Sequence, residues 1–80
     1  MKMRLQQIPY DAMKVDDIVV IYATGGPYGI VAKGRITKEP GRSNVLIELI
    51  EFMEKGDKIE FEIGQIVPIL LKYIYIEIQQ

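Results

Sequence analysis

Two apolar runs meet at a glycine-rich turn in the first half of the chain. Ile18-Val19-Val20-Ile21-Tyr22-Ala23 leads into Thr24-Gly25-Gly26-Pro27-Tyr28-Gly29, and a second run, Ile30 to Thr37, follows. β-branched runs on either side of a Gly/Pro cluster predict two strands joined by a turn. Ile18–Ala23 shows no polar alternation, which predicts a central strand covered on both faces. Ile30–Thr37 alternates. Ile30, Ala32, Gly34 and Ile36 share one face, and Val31, Lys33, Arg35 and Thr37 share the other.

The remaining pattern also reads as strands. Lys2 to Ile8 is a candidate strand closed by Pro9, and Pro9 to Lys14 suits a single helical turn because proline fits a first helical position. Val15-Asp16-Asp17 is a turn, and Glu39 to Asn44 is a loop by composition. Val45–Met53 is a long apolar strand whose period of two breaks midway around Glu48 and Glu51, which predicts a bulge or a strong bend. A helical reading of this stretch, with both glutamates on one side, ranks second because its start is β-branched. Glu54-Lys55-Gly56-Asp57 predicts a hairpin turn. Lys58–Ile63 then pairs back onto Val45–Met53, with Ile59, Phe61 and Ile63 inward. Ile66–Leu71, interrupted by Pro68, reads as a crossing loop or short helical turn. Tyr73–Ile78 alternates again as a final strand. Five or six short strands predict an all-β fold, a small antiparallel barrel or highly curved sheet. Closure would remove the exposed edges of so small a sheet.

Composition narrows the chemistry. Eighty residues fit one small domain spanning 1–80. Cysteine and histidine are absent, which removes disulfides, thiolate metal sites, the usual general base and the commonest metal ligand. Ser43 is the only serine. An enzyme is therefore not expected, nor is a cofactor or a metal. The Ile-, Glu-, Lys- and Tyr-rich, Cys-free composition is compatible with a heat-loving organism. No apolar stretch approaches the roughly 20 residues needed to cross a bilayer, and no apolar segment of a targeting signal follows Met1-Lys2-Met3-Arg4. The expectation is a cytoplasmic protein with no membrane partner. The net charge of −1 hides an asymmetry. Residues 1–42 hold most of the basic groups, and residues 43–80 most of the acids. A basic half can face a phosphate backbone, or its charges can simply solvate exposed strand faces.

The turn after Ile18–Ala23 is the one place shaped for a ligand, with tyrosines and a hydroxyl beside accessible glycine backbone. Bland alternatives accompany each residue. Tyr22 can be core, Gly25-Gly26-Pro27 can be turn chemistry, and Lys33 and Arg35 can be solvated. The glycines do not form a phosphate loop, because no lysine and hydroxyl follow them at the required spacing. Asp16 and Asp17, being adjacent, point to opposite faces of an extended chain and do not make a hard-metal site.

Val15-Asp16-Asp17-Ile18-Val19-Val20-Ile21-Tyr22-Ala23-Thr24, followed by Gly29-Ile30-Val31-Ala32-Lys33-Gly34-Arg35-Ile36, resembles the hallmark of the PUA-like superfamily, in particular its EVE, ASCH and YTH branches. Asp17 matches the family's acid, Tyr22 its aromatic, Thr24 its small hydroxyl position, and Gly29-Ile30-Val31 the opening of its second strand. The match covers about two-thirds of the chain. The family's usual glycine before the acid is Asp16 here, Ala32 stands where a glycine is typical, and the tryptophans of the family's base-holding cages are missing. The resemblance implies a PUA-like or SH3-like barrel that binds RNA or DNA without catalysis, holding a modified or extruded base. The residues it offers are Tyr22, Thr24, Gly25, Gly26 and Tyr28 at the turn, with Lys33, Arg35 and Arg42 toward phosphates. The competing reading is a protein-interaction or self-associating β domain. In that reading Tyr73–Ile78 adds its edge to a second copy.

Overall fold

The computed structural model describes residues 4–25 and 28–78. Among the described residues, six strands make one antiparallel sheet and the only helical pieces are two 3-10 turns. The strands are β1 (Leu5–Gln7), β2 (Ile18–Ala23), β3 (Ile30–Ile36), β4 (Asn44–Lys55), β5 (Ile66–Leu70) and β6 (Ile74–Glu77), in the spatial order β1-β6-β2-β3-β4-β5. The expected all-β antiparallel class is what the chain adopts.

The alternation in β3 sorts residues as read. Ile30, Ala32 and Ile36 are buried with Val19, Ile21 and Ala23 of β2 on the inner face. Val45, Ile47 and Leu49 of β4, Val67 and Ile69 of β5, and Ile74 of β6 join that core. Met13, just after the first 3-10 turn (Tyr10–Ala12), is buried against the same cluster. The predicted break in β4 is real. Two register shifts against β3, at Val31/Ala32 and Lys33/Gly34, leave Ile50 and Met53 without partners across the ladder. Each extra residue bends the strand and increases its twist.

Three expectations are corrected. Lys58–Ile63 is not a strand, and β4 pairs instead with β5, the segment read as a crossing loop. The reason lies in how Pro68 is placed. The Leu46 carbonyl accepts the Thr37 N–H at 3.1 Å and so faces β3, while Pro68 stands opposite Leu46 on the outermost strand. An antiparallel residue at such a position turns its own N–H away from the sheet, so proline loses no ladder bond there. Residues 56–65 keep their alternation as a loop, with Ile59 and Phe61 half-buried against the core and Ile63 exposed. Second, Tyr73–Ile78 supplies no edge. β6 lies between β1 and β2, with Tyr75 opposite both Gln7 and Val20. The true edges are β1, three residues long, and β5, which carries the proline, and both features blunt edge pairing. Third, β2 is not covered on both faces. Ile18 is 56% and Tyr22 48% exposed on its outer side.

Hydrogen bonds do not close the sheet into a barrel, since β1 and β5 have one strand neighbour each. Yet the second 3-10 turn, Leu71–Tyr73, is the only connection between β5 and β6, which three strands separate in the sheet. The sheet must curl strongly to bring them together. A side chain spans the gap. The Tyr28 hydroxyl, from the β2–β3 turn, accepts the Leu70 N–H of β5 at 3.3 Å, and its ring meets Tyr73 edge-on at 5.4 Å between centroids.

Candidate binding surface

Strand register decides which side chains share the outer face. Ile18 pairs with Arg35, Val20 with Lys33 and with Tyr75, and Tyr22 with Val31. Across β3, Lys33 faces Glu51 and Arg35 faces Glu48. The outer face therefore runs from Tyr75 through Ile18, Val20 and Tyr22 to Lys33 and Arg35, with the acids of β4 beyond. Val20 and Val31 are buried within this face, outside the main core, so their neighbours' side chains shield them. Tyr22 stands above them, its ring edge-on to Tyr75 at 6.3 Å and 81°. An edge-to-face pair fixes ring orientation while leaving much of one ring open.

The turn that leads into this face is held by Asp16 and Asp17. Asp16 adopts a positive φ of 76°, a conformation that costs a non-glycine residue and is favoured by short polar side chains. Its N–H donates to the Ile36 carbonyl at 2.8 Å, and the Ile36 N–H donates to the Asp17 carbonyl at 3.0 Å. The Asp17 carboxylate accepts the Lys14 N–H at 3.0 Å. Arg35 ties the same corner to β4. Its Nε and Nη2 donate to Glu48 Oε1 at 3.0 and 2.7 Å, and its Nη1 donates to Asp16 Oδ1 at 2.6 Å. The hydrogen bond to Glu48, and next that to Asp16, hold the guanidinium pKa above its ordinary value. The adjacent carboxylates of Asp16 and Asp17 thus serve a turn and an ion pair. Among the described residues no three carboxylate, histidine or cysteine side chains are placed to hold a metal.

The residues singled out in the sequence separate into groups. Tyr22 and Lys33 share the outer face, and exposed Thr24 and Gly25 continue from the end of β2. Gly26 lies outside the described residues. Tyr28 is half-buried against the core, its hydroxyl taken by Leu70 and its ring by Tyr73. Arg35 shares the outer face but is bound to two carboxylates. Arg42 is exposed on the loop between β3 and β4, apart from the turn in the chain. Tyr75 is the residue that the register adds to Tyr22. The alternation of β6 sets it on the face opposite Ile74 and Ile76, but only pairing with β2 reveals its neighbour. Two grooves, of about 430 and 480 Å³, share Tyr10 as a common wall and include none of these candidates. No helix among the described residues is long and apolar enough to cross a membrane. No family model, no curated protein and no solved structure matches the chain.

Proposed function

We propose that this chain is a non-catalytic nucleic-acid-binding module of PUA-like type, and that its outer sheet face holds single-stranded RNA or DNA. The observation that carries this reading is Tyr22, half-exposed beside Tyr75 and on the same face as Lys33. A base stacks on an open tyrosine ring whatever its sequence, and a neighbouring ammonium meets the phosphate. The left-handed backbone at Asp16 supports the PUA-like part of the reading, since the family carries glycine at that position. Binding is weak and electrostatic, because Lys33 is the only outer-face cation free of an ion pair among the described residues, and glutamates flank it.

Labelled single strands and duplexes, titrated at low salt, test this. Tyr22→Ala should weaken single-strand binding by about 1–3 kcal/mol, the usual value of one stack. The salt dependence should be shallow, with a slope near −0.7 for each phosphate neutralised, as is typical for single strands. Equal affinity of wild type and Tyr22→Ala, both folded, would remove the site.

The exposure of Ile18 on the same face as Tyr22 favours a second reading, in which that face docks a protein or a second copy. That reading gives complex formation or a doubled solution mass, with no salt-dependent nucleic-acid binding.

A further inference from the structure

The two grooves beside Tyr10 lie at the end of the molecule where both 3-10 turns sit. Tyr10 opens the first of these turns and is 59% exposed, so it forms a ridge rather than a plug. On one side, Ile8, Pro9 and Leu71 line the groove of about 480 Å³, with Gln7 and Lys72 at its margin. Its walls are fixed to each other, because Gln7 Nε2 donates to the Lys72 carbonyl at 3.1 Å, tying β1 to the second turn. On the other side, the groove of about 430 Å³ has buried Met13, exposed Val15 and half-buried Pro40 as its apolar lining. Asp11, Glu39 and Lys14 complete it.

Charge distinguishes the two sides. Asp11 and Glu39 make no salt bridge within the described residues, and against Lys14 they leave one net negative charge in the second groove. The first groove carries no acid, and its Lys72 ammonium lies over the Tyr73 ring at 5.2 Å. With Lys72 counted, the two grooves together hold two acids and two bases, so this end offers a polyanion no net attraction. It suits an extended chain that lays an apolar side chain against Ile8, Pro9 and Leu71, crosses the tyrosine, and puts a cation beside Asp11 and Glu39.

We propose that the ridge and paired grooves at Tyr10 form a docking site for an extended peptide segment of a partner protein, one carrying an apolar residue and, a few positions away, a lysine or arginine. The tyrosine gives a rigid ring with an apolar body and a polar tip, which loses little entropy on docking. Preformed concave walls reduce the ordering that binding costs. The site is separate from the outer face, as neither groove includes Tyr22, Tyr75 or Lys33.

The test is selection from a displayed library of random ten-residue peptides, with the folded full chain as bait. Enriched peptides should pair an apolar residue with a basic one. Tyr10→Ala should abolish their enrichment at least tenfold. Asp11→Asn with Glu39→Gln should erase the basic preference while keeping the apolar one. All three side chains are exposed, so these variants should fold, which circular dichroism checks. Tyr22→Ala should leave the enrichment unchanged, whatever it does to oligonucleotide binding, so the two sites stand or fall separately. No enrichment, enrichment of acidic peptides, or enrichment untouched by Tyr10→Ala would overturn the proposal. So would loss of enrichment in Tyr22→Ala.

Discussion

Tyr28 offers the sharpest separation of structural from binding roles, because the two readings of its ring differ in outcome. Its hydroxyl accepts the Leu70 N–H at 3.3 Å, near the long end for such a bond, at a half-buried position. Tyr28→Phe removes that acceptor and keeps the ring against Tyr73. A net hydrogen bond is worth about 0.5–1.5 kcal/mol. Length and partial access to water place this one in the lower half, so the loss should be about 0.5–1 kcal/mol. For a domain of this size that lowers Tm by roughly 2–8 °C. Tyr28→Ala also removes an edge-to-face pair worth about 0.5–1.5 kcal/mol. It leaves a void where a large ring packed, which costs about 3–5 kcal/mol for a fully buried aromatic and less here. A combined loss of about 2–4 kcal/mol follows. Urea unfolding followed by far-ultraviolet circular dichroism measures both variants. If Tyr28→Phe matched wild type, the hydroxyl would not be what pins the β5 edge; if it lost as much as Tyr28→Ala, the ring against Tyr73 would contribute nothing. Single-strand affinity of the folded Tyr28→Phe protein should equal that of wild type, because stacking on the outer face does not involve this ring.

Gly34→Ala should destabilise by about 1–3 kcal/mol, the range for overpacking a core. A Cβ there would overlap the Ile47 methyl and approach the Glu48 carbonyl oxygen at 3.0 Å, forcing β3 away from β4. Thermal unfolding checks it. Arg35→Gln should lower Tm at low salt and less so in high salt, since partly exposed ion pairs to Asp16 and Glu48 are screened. Arg35 has a raised pKa, so its contribution is complete below its unfolded value and is lost only as pH rises through the still higher folded value. With no histidine in the chain, Tm should then be flat between about pH 6 and 9.

Local pattern reveals inner faces better than partners. The alternation of β3 assigned its four inward residues correctly, and the broken period of β4 announced a bulge or bend in a strand that carries two register shifts. Both are properties of a single strand against its own periodicity. The β4–β5 pairing was not legible. Lys58–Ile63 alternates as cleanly as any strand, and Pro68 argues against its own segment. Only the outward turn of the Pro68 position, set by Leu46 bonding to Thr37, makes it harmless. The site was legible in the same partial way. Tyr22 and Lys33 come from strands joined by one turn and do share a face. Tyr28 looked alike in composition, but its reach to Leu70, 42 residues later, is tertiary. Arg35 carries the same charge as Lys33, yet the bulged register sets it opposite Glu48, which no local pattern could foretell.

The measurement that bears most directly on the central claim is amide shift mapping of the labelled protein with a short single-stranded oligonucleotide at low salt. The outer-face reading predicts saturable shifts centred on Tyr22, Tyr75 and Lys33, which need more oligonucleotide to appear in Tyr22→Ala and shrink as salt is raised. Shifts confined to the grooves around Tyr10, or none on the outer face at saturating oligonucleotide, would contradict it.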